Sequence, residues 1–569
     1  MEKRYHISEP DKQTVTTLIK DLKCHPVIAV ILVNRNIHTP EAAEAFLAGS
    51  LSNLRPPFKM KGMDAAVRRI QKALIENEKI LIFGDYDVDG VTATALLYQF
   101  LSGLGARVSY YIPHRTKEGY GLRAGHIHKI AVTGKSNLII TVDCGADSHE
   151  AVQTAAEAGI DVIITDHHLL PDTAPPAVAV INPKQADCPA GFDMLAGVGV
   201  AYALLISLRS HLRAEGFWKS TPEPNLKDLS DLVALGTVAD VVPLRDDNRI
   251  LAKTGLTVID GTNRPGLVAL CETAGLKDKK PTAEDIAFRL APRINAAGRM
   301  AHATAAVKLL ITSDMTQARR IANMLNRLNT RRQSVEQQMT NQILTYIQSN
   351  PTILQKNSLV LKHPQWHEGI LGIVASKLAD RFYRPVVLIS LRNKIGKGSA
   401  RSIPGYHLYN GLKQTRHHLV SFGGHAMAAG LQIEPDRIAS FWKEFDACVT
   451  RDTTAQDFLP PVNIDHMLSL NDITPELVTA LESLQPFGEQ NPEPLFMARN
   501  VEVVFSRIVA ERHRQARLKQ ANANSTNVFD SIAFNIDPVE PLPPRLDRVA
   551  FHLRWNRWNG KKTIQLMLI

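Results

Sequence analysis

The alternation of short apolar runs with helical stretches between Lys79 and Pro183 restricts the fold more than any other feature of the sequence. Helices are predicted over Thr92–Leu104 and Ser148–Ala158. The apolar runs predict strands over Lys79–Phe83, Arg107–Ile112, Asn137–Val142, Asp161–Thr165 and Val178–Ile181. Strands that are apolar throughout and alternate with helices are typical of a parallel sheet covered on both faces. The sequence therefore predicts an α/β fold.

The rest of the 569-residue chain is predicted to form further domains, because a single core rarely grows to this length. A surface loop is expected from Thr221 to Lys227, and a long polar helix over Ser313–Gln348 would bridge two domains. A second α/β unit is predicted after this helix, with elements at Ser358–Leu361, Gly372–Arg381 and Val386–Ser390.

After Pro460 the sequence pattern changes. Short alternating runs are separated by turn signals, and Asn559-Gly560 is a strong hairpin signal. The runs are Val501–Phe505, Ser531–Phe534, Arg548–Leu553 and Thr563–Leu568. This pattern predicts a small antiparallel barrel.

Charge and cysteine usage narrow the class of protein. The formal net charge of +10 and the pI near 9.2 favour an anionic partner such as nucleic acid or an acidic membrane surface. The first residues show no secretory signal, and no run approaches the ~20 apolar residues that cross a bilayer. The five scattered cysteines form no CxxC pair, which argues against a disulfide scaffold and a thiolate zinc site. We expect a cytoplasmic protein without membrane association.

Acidic and histidine clusters stand at the ends of four predicted strands. They are Asp85-Tyr86-Asp87-Val88-Asp89, Asp143, Asp166-His167-His168, and Asp240, which follows the apolar run Leu232–Val238. Ligands bind outside the carboxyl ends of the strands in an open parallel sheet, so these side chains should converge. Carboxylates with a few imidazoles suit Mn²⁺ or Mg²⁺, and the ligand types do not separate the two ions.

Each cluster alone has a simpler interpretation. The stretch Asp85–Gly90 resembles half of an EF-hand loop, but the final Glu is missing and a helix begins at once. Asp143 alone would serve as a helix cap, and a lone His pair is more often a hydrogen-bonded structural feature. Their joint occurrence at strand ends favours one active site.

The same motifs resemble the DHH phosphoesterase superfamily, and several further segments resemble its RecJ branch. These segments are Asp228–Leu244, Ala291–Met300, Gly398–Ser402 and Gly423–Gly430. The resemblance implies a single-strand-specific 5′→3′ DNA exonuclease of DNA repair and recombination that releases mononucleotides. It also implies the following organisation: an N-terminal helical segment (1–55), a DHH catalytic domain (56–265), a helical connector with the long bridging helix (266–349), a DHHA1-like substrate-binding domain (350–455) and an OB-like nucleic-acid-binding barrel (460–569).

The resemblance also implies roles for the clustered residues. Asp87 and Asp143 would bind one metal, with Asp85 at or near the same ion. The second metal would be bound by Asp89, Asp143, His167 and Asp240, so that Asp143 bridges the two. His168 would face the scissile phosphate, and His168 and Asp85 are the candidate catalytic residues. Two such ions can clamp the attacking and leaving oxygens of an in-line displacement.

Phosphate recognition is expected from cations and polar groups outside the metal cluster. Ser399 and Arg401, in a turn that begins with glycine, are implied to lie near the 5′ end of the strand. Arg suits bidentate phosphate contact, although a single Arg taken alone is more often part of a surface ion pair. The candidates are Arg293, Asn295, Arg299, Ser399, Arg401 and His425, with Arg115, Arg514 and Arg517 as weaker DNA-binding candidates.

Two other functions remain open at this point. One is a small-substrate DHH phosphodiesterase acting on nanoRNA or cyclic dinucleotides, although such chains are shorter and lack a barrel. The other is a non-enzymatic DNA-binding scaffold, although scaffold relatives have degraded metal motifs and this chain retains every carboxylate and both histidines. Single-stranded DNA is the expected partner, and resemblance alone adds a single-strand-binding protein and a helicase.

Overall fold

The computed structural model describes residues 4–134, 136–219, 222–392, 394–521, 527–536, 542–558 and 560–569. The predicted α/β class is confirmed, with a parallel sheet, a second α/β domain, a long connecting helix and a C-terminal barrel. Thr221 of the predicted loop and Asn559 of the predicted hairpin lie outside the described residues. Within the described residues, no helix combines the length and the hydropathy that crossing a bilayer requires.

The N-terminal elements share a hydrophobic core with the C-terminal barrel, and the two together are called the barrel body. The N-terminal elements are β1 (Arg4–Ile7), α1 (Lys12–Leu22), α2 (Pro26–Asn34) and α3 (Pro40–Ala48). Strand β1, which was not predicted, pairs in parallel with Pro461–Ile464. Every residue of α2 from Val27 to Val33 is buried, and this helix shares one apolar core with the barrel strands.

The catalytic sheet is five-stranded and entirely parallel. Its strands lie in the order β3-β2-β4-β5-β6. Ile80 and Ile82 pack into the core on one face, and Leu81 and Phe83 pack into the core on the other. The elements of this region are α4 (Met63–Ile75), β2 (Lys79–Gly84), α5 (Val88–Gly103), β3 (Arg107–Tyr111), α6 (Ala124–Val132), β4 (Leu138–Val142), α7 (His149–Glu157), β5 (Asp161–Thr165), β6 (Ala179–Ile181), α8 (Gly197–Ala214), α9 (Ser230–Ala239) and α10 (Asp246–Asp260).

The prediction that Asp240 follows a strand is wrong. The run Leu232–Val238 lies inside helix α9, and Asp240 is the residue at the C-terminal end of that helix. All residues of α9 from Ser230 to Val238 are buried, so the helix is surrounded by protein on every side. A short apolar run of this kind has no polar face, and periodicity then cannot distinguish a helix from a strand.

The connector is helical and ends in a 35-residue helix, α15 (Met315–Ser349). The N-terminal half of α15 packs into the catalytic core through Ala318, Ala322 and Leu325, and its C-terminal half packs into the second domain through Ile343 and Ile347. At 1.5 Å per residue it spans about 50 Å. The preceding elements are α11 (Pro265–Thr273), α12 (Ala283–Asp285), a π-helical turn (Ile286–Leu290), α13 (Ala291–Met300) and α14 (Thr304–Ile311).

The second domain contains a mixed sheet in the order β10-β11-β9-β8-β7. The expectation that Ser399 and Arg401 occupy a turn is wrong, because both lie in strand β9. Gly398 marks close packing here, since a Cβ at this position would lie 2.7 Å from Leu431 Cδ1. The elements are β7 (Leu359–His363), α16 (Leu371–Phe382), β8 (Val386–Ser390), β9 (Gly396–Arg401), α17 (Leu408–Gln414), β10 (Leu419–Gly424), β11 (Ala428–Ile433) and α18 (Ile438–Asp452).

The C-terminal sheet closes into a barrel, because β14 pairs with both β15 and β17. The prediction of an antiparallel barrel is wrong at the pairing of β16 with β18, which is parallel, and the short strand β13 also pairs in parallel with β14. Period-2 alternation reports which face of a strand is buried and carries no information on the direction of its neighbour. The elements are β12 (Pro461–Ile464), β13 (His466–Met467), α19 (Pro475–Glu482), β14 (Phe496–Val509), β15 (His513–Gln520), β16 (Val528–Ala533), β17 (Arg545–Trp558) and β18 (Lys561–Leu568).

A buried arginine of the catalytic region holds the barrel body in place. Arg249 on α10 is 3% exposed, and its guanidinium lies 3.7 Å from the ring centroid of Phe46. Its nitrogens donate to the carbonyl oxygens of Phe46, Ser483, Leu484, Gln485 and Pro486 at 2.7–3.4 Å. Ser483 follows the end of α19, where helical carbonyls lack internal partners and a cation is favourable. Burial and the nearby charge of Arg35 lower the pKa of Arg249 to about 9.

We expect Arg249→Met to weaken the attachment of the barrel body. The substitution keeps much of the apolar stem but leaves buried carbonyls unsatisfied, a loss of about 2–3 kcal/mol. In calorimetry, the transition of the barrel body should fall by about 5–10 °C. Thr257→Ala, at an exposed position on the same helix, is the control and should change little. An unchanged profile for Arg249→Met would contradict the attachment role.

Candidate metal centre

Most of the predicted metal ligands and catalytic residues lie at the carboxyl ends of three parallel strands. Asp85 and Asp87 follow β2, Asp143 follows β4, and His167 and His168 follow β5. Asp143 has a φ of 59°, a left-handed conformation that is uncommon for a non-glycine residue and common at functional sites. Helix α8 begins against it, since a Cβ at Gly197 would lie 2.8 Å from Asp143 Oδ1.

Among the described residues, the ligand atoms at this edge form three groups, and Asp143 belongs to two of them, one with Asp85 and Asp87 and one with His167 and His168. His167 Nε2 lies 3.1 Å from Asp143 Oδ1, 3.6 Å from Asp240 Oδ2 and 3.8 Å from Asp89 Oδ2. Ligand atoms of Asp85, Asp87 and Asp143 lie within 4.8 Å of one another, as do those of Asp89, His167 and Asp240. The structure thus brings the predicted metal ligands together at one edge of the sheet.

Several of these atoms are buried without a hydrogen-bond partner among the described residues. They are Asp85 Oδ1, Asp143 Oδ1 and His167 Nε2. A buried polar atom that makes no hydrogen bond is costly, and the cost is larger for a charged group. Divalent cations satisfy carboxylate oxygens and an imidazole nitrogen at once, so this donor set fits metal ions.

Helix N-termini hold two of the carboxylates in place. Asp87 caps α5, where its Oδ1 accepts from the backbone N–H groups of Asp89 at 3.0 Å and Gly90 at 3.2 Å. Asp89 accepts from Gly197 N–H at 2.6 Å and Val198 N–H at 2.8 Å, at the start of α8. These bonds orient the carboxylates before any ligand arrives, and they leave further lone pairs on the same oxygens.

Burial opposes ionisation of the cluster. It is the main cause that raises the pKa of Asp89 to about 7 and of Asp240 to about 9, followed by repulsion from neighbouring carboxylates. Burial likewise raises the pKa values of Asp143 and Asp85 well above their usual range. Burial and the charge of His168 lower the pKa of His167 to about 3, which keeps its imidazole neutral and available as a ligand.

Asp166 orients His168. Its carboxylate accepts from the backbone N–H groups of Ala146, His167 and His168, and its Oδ1 lies 2.8 Å from His168 Nδ1. Burial alone would lower the pKa of His168, but the hydrogen bond and charge of Asp166 outweigh burial and raise it. Tyr120 Oη lies 3.0 Å from His168 Nδ1 and donates to the Asp143 carbonyl oxygen at 3.1 Å.

Sequence reasoning did not predict Tyr120 as a site residue, and it placed Asp166 in the cluster without giving it a role. Asp166 opens the Asp-His-His motif, so a signal was present, but its contacts are to backbone and to a neighbouring imidazole. Tyr120 lies in the segment Glu118–Gly121, whose place beside the cluster depends on the fold. Lys184 was also missed, although its charge lowers the pKa of Asp240 against the larger effect of burial.

A group of arginines lies beside the carboxylates. Burial and the charges of Arg115, Arg332 and Arg401 lower the pKa of Arg299 to about 9, while the charge of Asp87 opposes this shift. Arg299 is brought close by α13, whose Gly298 has no room for a side chain, since a Cβ there would lie 2.7 Å from the Tyr86 carbonyl oxygen. The guanidinium of Arg115 stacks 4.7 Å above the Tyr86 ring. Arg332 was not among the predicted site residues.

Residues of the second domain lie near this group of arginines. Arg401 Nη1 donates to Ser399 Oγ at 3.2 Å, and a Cβ at Gly372 would lie 2.8 Å from Arg401 Nη2. His425 follows β10 and is exposed, and burial together with the charges of His168 and Lys184 lowers its pKa. Arg401 and His425 of the second domain therefore lie close enough to Arg299 and His168 for their charges to interact.

The remaining predicted residues make other contacts. Arg293 donates to Asn326 Oδ1 at 3.1 Å and to the Arg289 carbonyl oxygen at 2.6 Å, both within the helical connector. Asn295 Oδ1 is buried without a hydrogen-bond partner among the described residues. Arg514 and Arg517 are on barrel strand β15, where Arg514 is buried and Arg517 Nε pairs with Asp530 Oδ1 at 3.2 Å.

Comparison with known proteins identifies matches along the chain. Family models match the N-terminal domain of the DHH family over residues 79–237, the DHHA1 domain over 355–451 and the RecJ OB domain over 464–569. The single-stranded-DNA-specific exonuclease RecJ of Bacillus subtilis is 37% identical over 569 residues, covering 99% of this chain and 70% of that protein. The exonuclease of the same name from Escherichia coli is 37% identical over 560 residues, covering 95% of each chain.

Solved structures agree with these matches. The crystal structure of RecJ from Thermus thermophilus in complex with Mn²⁺ superimposes with a TM-score of 0.85 and 32% identity, covering 100% of this chain and 79% of that chain. The same protein in complex with Mg²⁺ gives a TM-score of 0.78 and 30% identity, covering 100% and 78%. The similarity thus extends over all the domains described above.

Proposed function

The chain belongs to the RecJ family, and from that membership we propose that it hydrolyses single-stranded DNA from the 5′ end to mononucleotides. The observation that carries the proposal is the set of ligand groups that Asp143 and His167 connect at the edge of the parallel sheet. A single-strand exonuclease needs this chemistry beside a strand-binding domain, and the chain has both.

Mn²⁺ or Mg²⁺ is the cofactor, as in the RecJ structures solved with each ion. We propose that Asp87 and Asp143, with Asp85 at or near the same ion, hold one cation and that Asp89, Asp143, His167 and Asp240 hold the other. Bound ions would neutralise charge on the attacking and leaving oxygens of the phosphodiester. The ligand sets are supported by the unsatisfied buried atoms of Asp85, Asp143 and His167.

The remaining residues are proposed to position the strand and its charge. Asp166, 2.8 Å from His168 Nδ1, raises the pKa of His168, which favours a charged ring that can stabilise negative charge on the scissile phosphate. Arg299, with Arg115 nearby, supplies fixed positive charge beside the carboxylates. We propose that Ser399, Arg401 and His425 of the second domain hold the 5′ end. The proposal is supported by the effect of the Arg401 charge on Arg299, by the effect of the His168 charge on His425, and by the hydrogen bond from Arg401 to Ser399.

Two rival functions fit less well. A small-substrate phosphodiesterase does not account for the RecJ OB domain over residues 464–569. A non-enzymatic scaffold does not account for a complete and preorganised set of buried carboxylates. The best test is digestion of an oligonucleotide labelled at the 5′ or the 3′ end with Mn²⁺, Mg²⁺ or chelator. Immediate release of labelled mononucleotide from the 5′-labelled strand supports the proposal, and release from the 3′ end first contradicts it.

Arg401 offers a test of 5′-end recognition. Arg401→Ala should lower kcat/KM about tenfold or more for a 5′-phosphorylated strand, because a charge-assisted hydrogen bond contributes about 1.5–3 kcal/mol. For a strand that ends in a 5′-hydroxyl group, the kcat/KM of the same variant should fall much less. Arg437→Ala, a paired and exposed arginine of the same domain, is the matched control. Equal losses on the two strands would reject a contact with the 5′ phosphate.

The cellular setting is part of the proposal. Participation in DNA repair and recombination, and a partnership with a single-strand-binding protein or a helicase, rest on family resemblance. A cytoplasmic location suits the five cysteines, which are all free thiols.

A further inference from the structure

A second group of metal-ligating side chains lies in the second α/β domain. His417 and His418 are in the short turn before β10, and Glu444 is on α18. His417 Nε2 lies 3.0 Å, and His418 Nε2 2.8 Å, from the same oxygen, Glu444 Oε2. All three ligand atoms lie within 4.8 Å of one another, and the imidazole centroids are 4.2 Å apart. Two imidazoles and a carboxylate therefore converge on one point.

His418 is largely buried, whereas His417 and Glu444 are exposed to solvent. The His418 side chain is 10% exposed, whereas those of His417 and Glu444 are 57% and 41% exposed. His418 Nδ1 makes no hydrogen bond within the described part of the chain. Without an ion, Nε2 can donate to Glu444, and because no hydrogen bond from the described residues holds Nδ1 the proton can move to Nδ1 when Nε2 presents its lone pair to a metal. Water has access from the side of His417 and Glu444.

We propose that His417, His418 and Glu444 form a second metal site, which takes Zn²⁺ and chemically similar ions such as Co²⁺. Two imidazoles with one glutamate are an established protein ligand set for Zn²⁺, with water in the fourth position. Imidazole-rich sets favour Zn²⁺, Ni²⁺ or Cu²⁺, whereas oxygen-rich sets favour Mg²⁺ or Mn²⁺. The two metal centres of the chain are therefore selective for different ions.

The distances are close to those that a tetrahedral ion needs. Bonds of about 2.0–2.2 Å at a tetrahedral angle separate neighbouring ligand atoms by about 3.3 Å. The observed separations of 3.0 and 2.8 Å must open by a few tenths of an ångström. The exposed side chains of His417 and Glu444 can make this movement without disturbing the core.

An ion bound here would join two elements of the second domain. The turn that carries both histidines leads directly into β10, and His425 follows the end of that strand. Glu444 is anchored on α18, whose Phe441 and Phe445 are part of the domain core. The ion would therefore tie the start of this hairpin to the body of the domain, outside the catalytic cluster.

Metal-binding stoichiometry tests the proposal. Metal-free protein is dialysed against Zn²⁺, Co²⁺ or Mn²⁺ at equal free concentration, and bound metal is counted. The wild-type chain should bind one more equivalent of Zn²⁺ or Co²⁺ than His417→Ala or Glu444→Gln, and His128→Ala, at an exposed histidine elsewhere, should match wild type. Mn²⁺ binding should be the same in all four proteins, and so should exonuclease activity with Mn²⁺.

Two outcomes of the metal-binding measurement would contradict the proposal. Equal Zn²⁺ in all four proteins would overturn the site, and loss of a Mn²⁺ equivalent in His417→Ala would overturn its selectivity. Melting curves in chelator check the fold of each variant, and Glu444→Gln retains a hydrogen-bond acceptor for both imidazoles. Since the catalytic carboxylates are intact in every variant, failure of this proposal leaves the exonuclease proposal standing, and the reverse also holds.

Discussion

Asp143→Asn is expected to lower the rate of single-stranded DNA hydrolysis by roughly a thousandfold or more. The substitution retains the shape of the side chain but removes the charge of a carboxylate that groups with Asp85 and Asp87 and lies 3.1 Å from His167 Nε2. Loss of several kcal/mol of transition-state stabilisation is expected when a metal site is disrupted, and each 1.36 kcal/mol is a factor of ten in rate. Steady-state hydrolysis of a fluorescent oligonucleotide with Mn²⁺ measures the effect.

Binding separates a catalytic defect from a folding defect. The affinity of Asp143→Asn for the same strand, measured in chelator, should stay within about threefold of wild type, because phosphate contacts on the arginines and the barrel dominate affinity. Asp147→Asn, at an exposed position four residues along, is the matched control and should retain full activity. Near-normal hydrolysis by Asp143→Asn would refute the bridging role.

The stability of the metal-free protein is expected to fall as pH rises from about 4 to 9. Asp89 and Asp240 have pKa values of about 7 and about 9, against an ordinary value of 3.8. Each carboxyl thus binds its proton more tightly in the folded protein. Its contribution to stability is complete below about pH 4 and is lost as pH rises through the folded pKa. For Asp89 the shift corresponds to roughly 4 kcal/mol.

Metal should reverse this loss, because a cation replaces the protons. We expect the rise in Tm on adding excess Mg²⁺ to be larger at pH 8.5 than at pH 6, by several degrees. The difference between melts with and without metal removes the effect of other titrating groups. In Asp240→Asn the pH dependence of this difference should flatten. A metal-induced shift that is constant with pH would contradict the coupling between protons and metal.

The sequence located the metal centre because its geometry follows from topology. Asp85, Asp143 and His167 were predicted to meet because parallel strands end at one edge, and they do meet there. Asp240 also lies beside His167, as predicted, but it follows helix α9 and not a strand. Residue type and position after an apolar run were sufficient in both cases.

The supporting contacts could not be predicted in the same way. Asp166 and Tyr120 act on His168 through hydrogen bonds that only the folded chain brings together. Arg249 has no motif, because its partners are backbone carbonyls in segments hundreds of positions away. Backbone acceptors are present at every residue, so the sequence carries no signal for which of them a buried guanidinium will find.

The shared core of α2 and the barrel has a consequence for how the chain is made on the ribosome. Asn34, at the end of α2, donates to the carbonyl oxygen of Asp465, 431 positions later. At about 5–20 residues per second, translation separates these partners by roughly 20–90 s. During that interval helix α2 can pack only against α1 and α3, and the part of its apolar surface that the barrel later covers stays exposed. We therefore expect the earliest helices of the nascent chain to need protection from aggregation until the barrel is made.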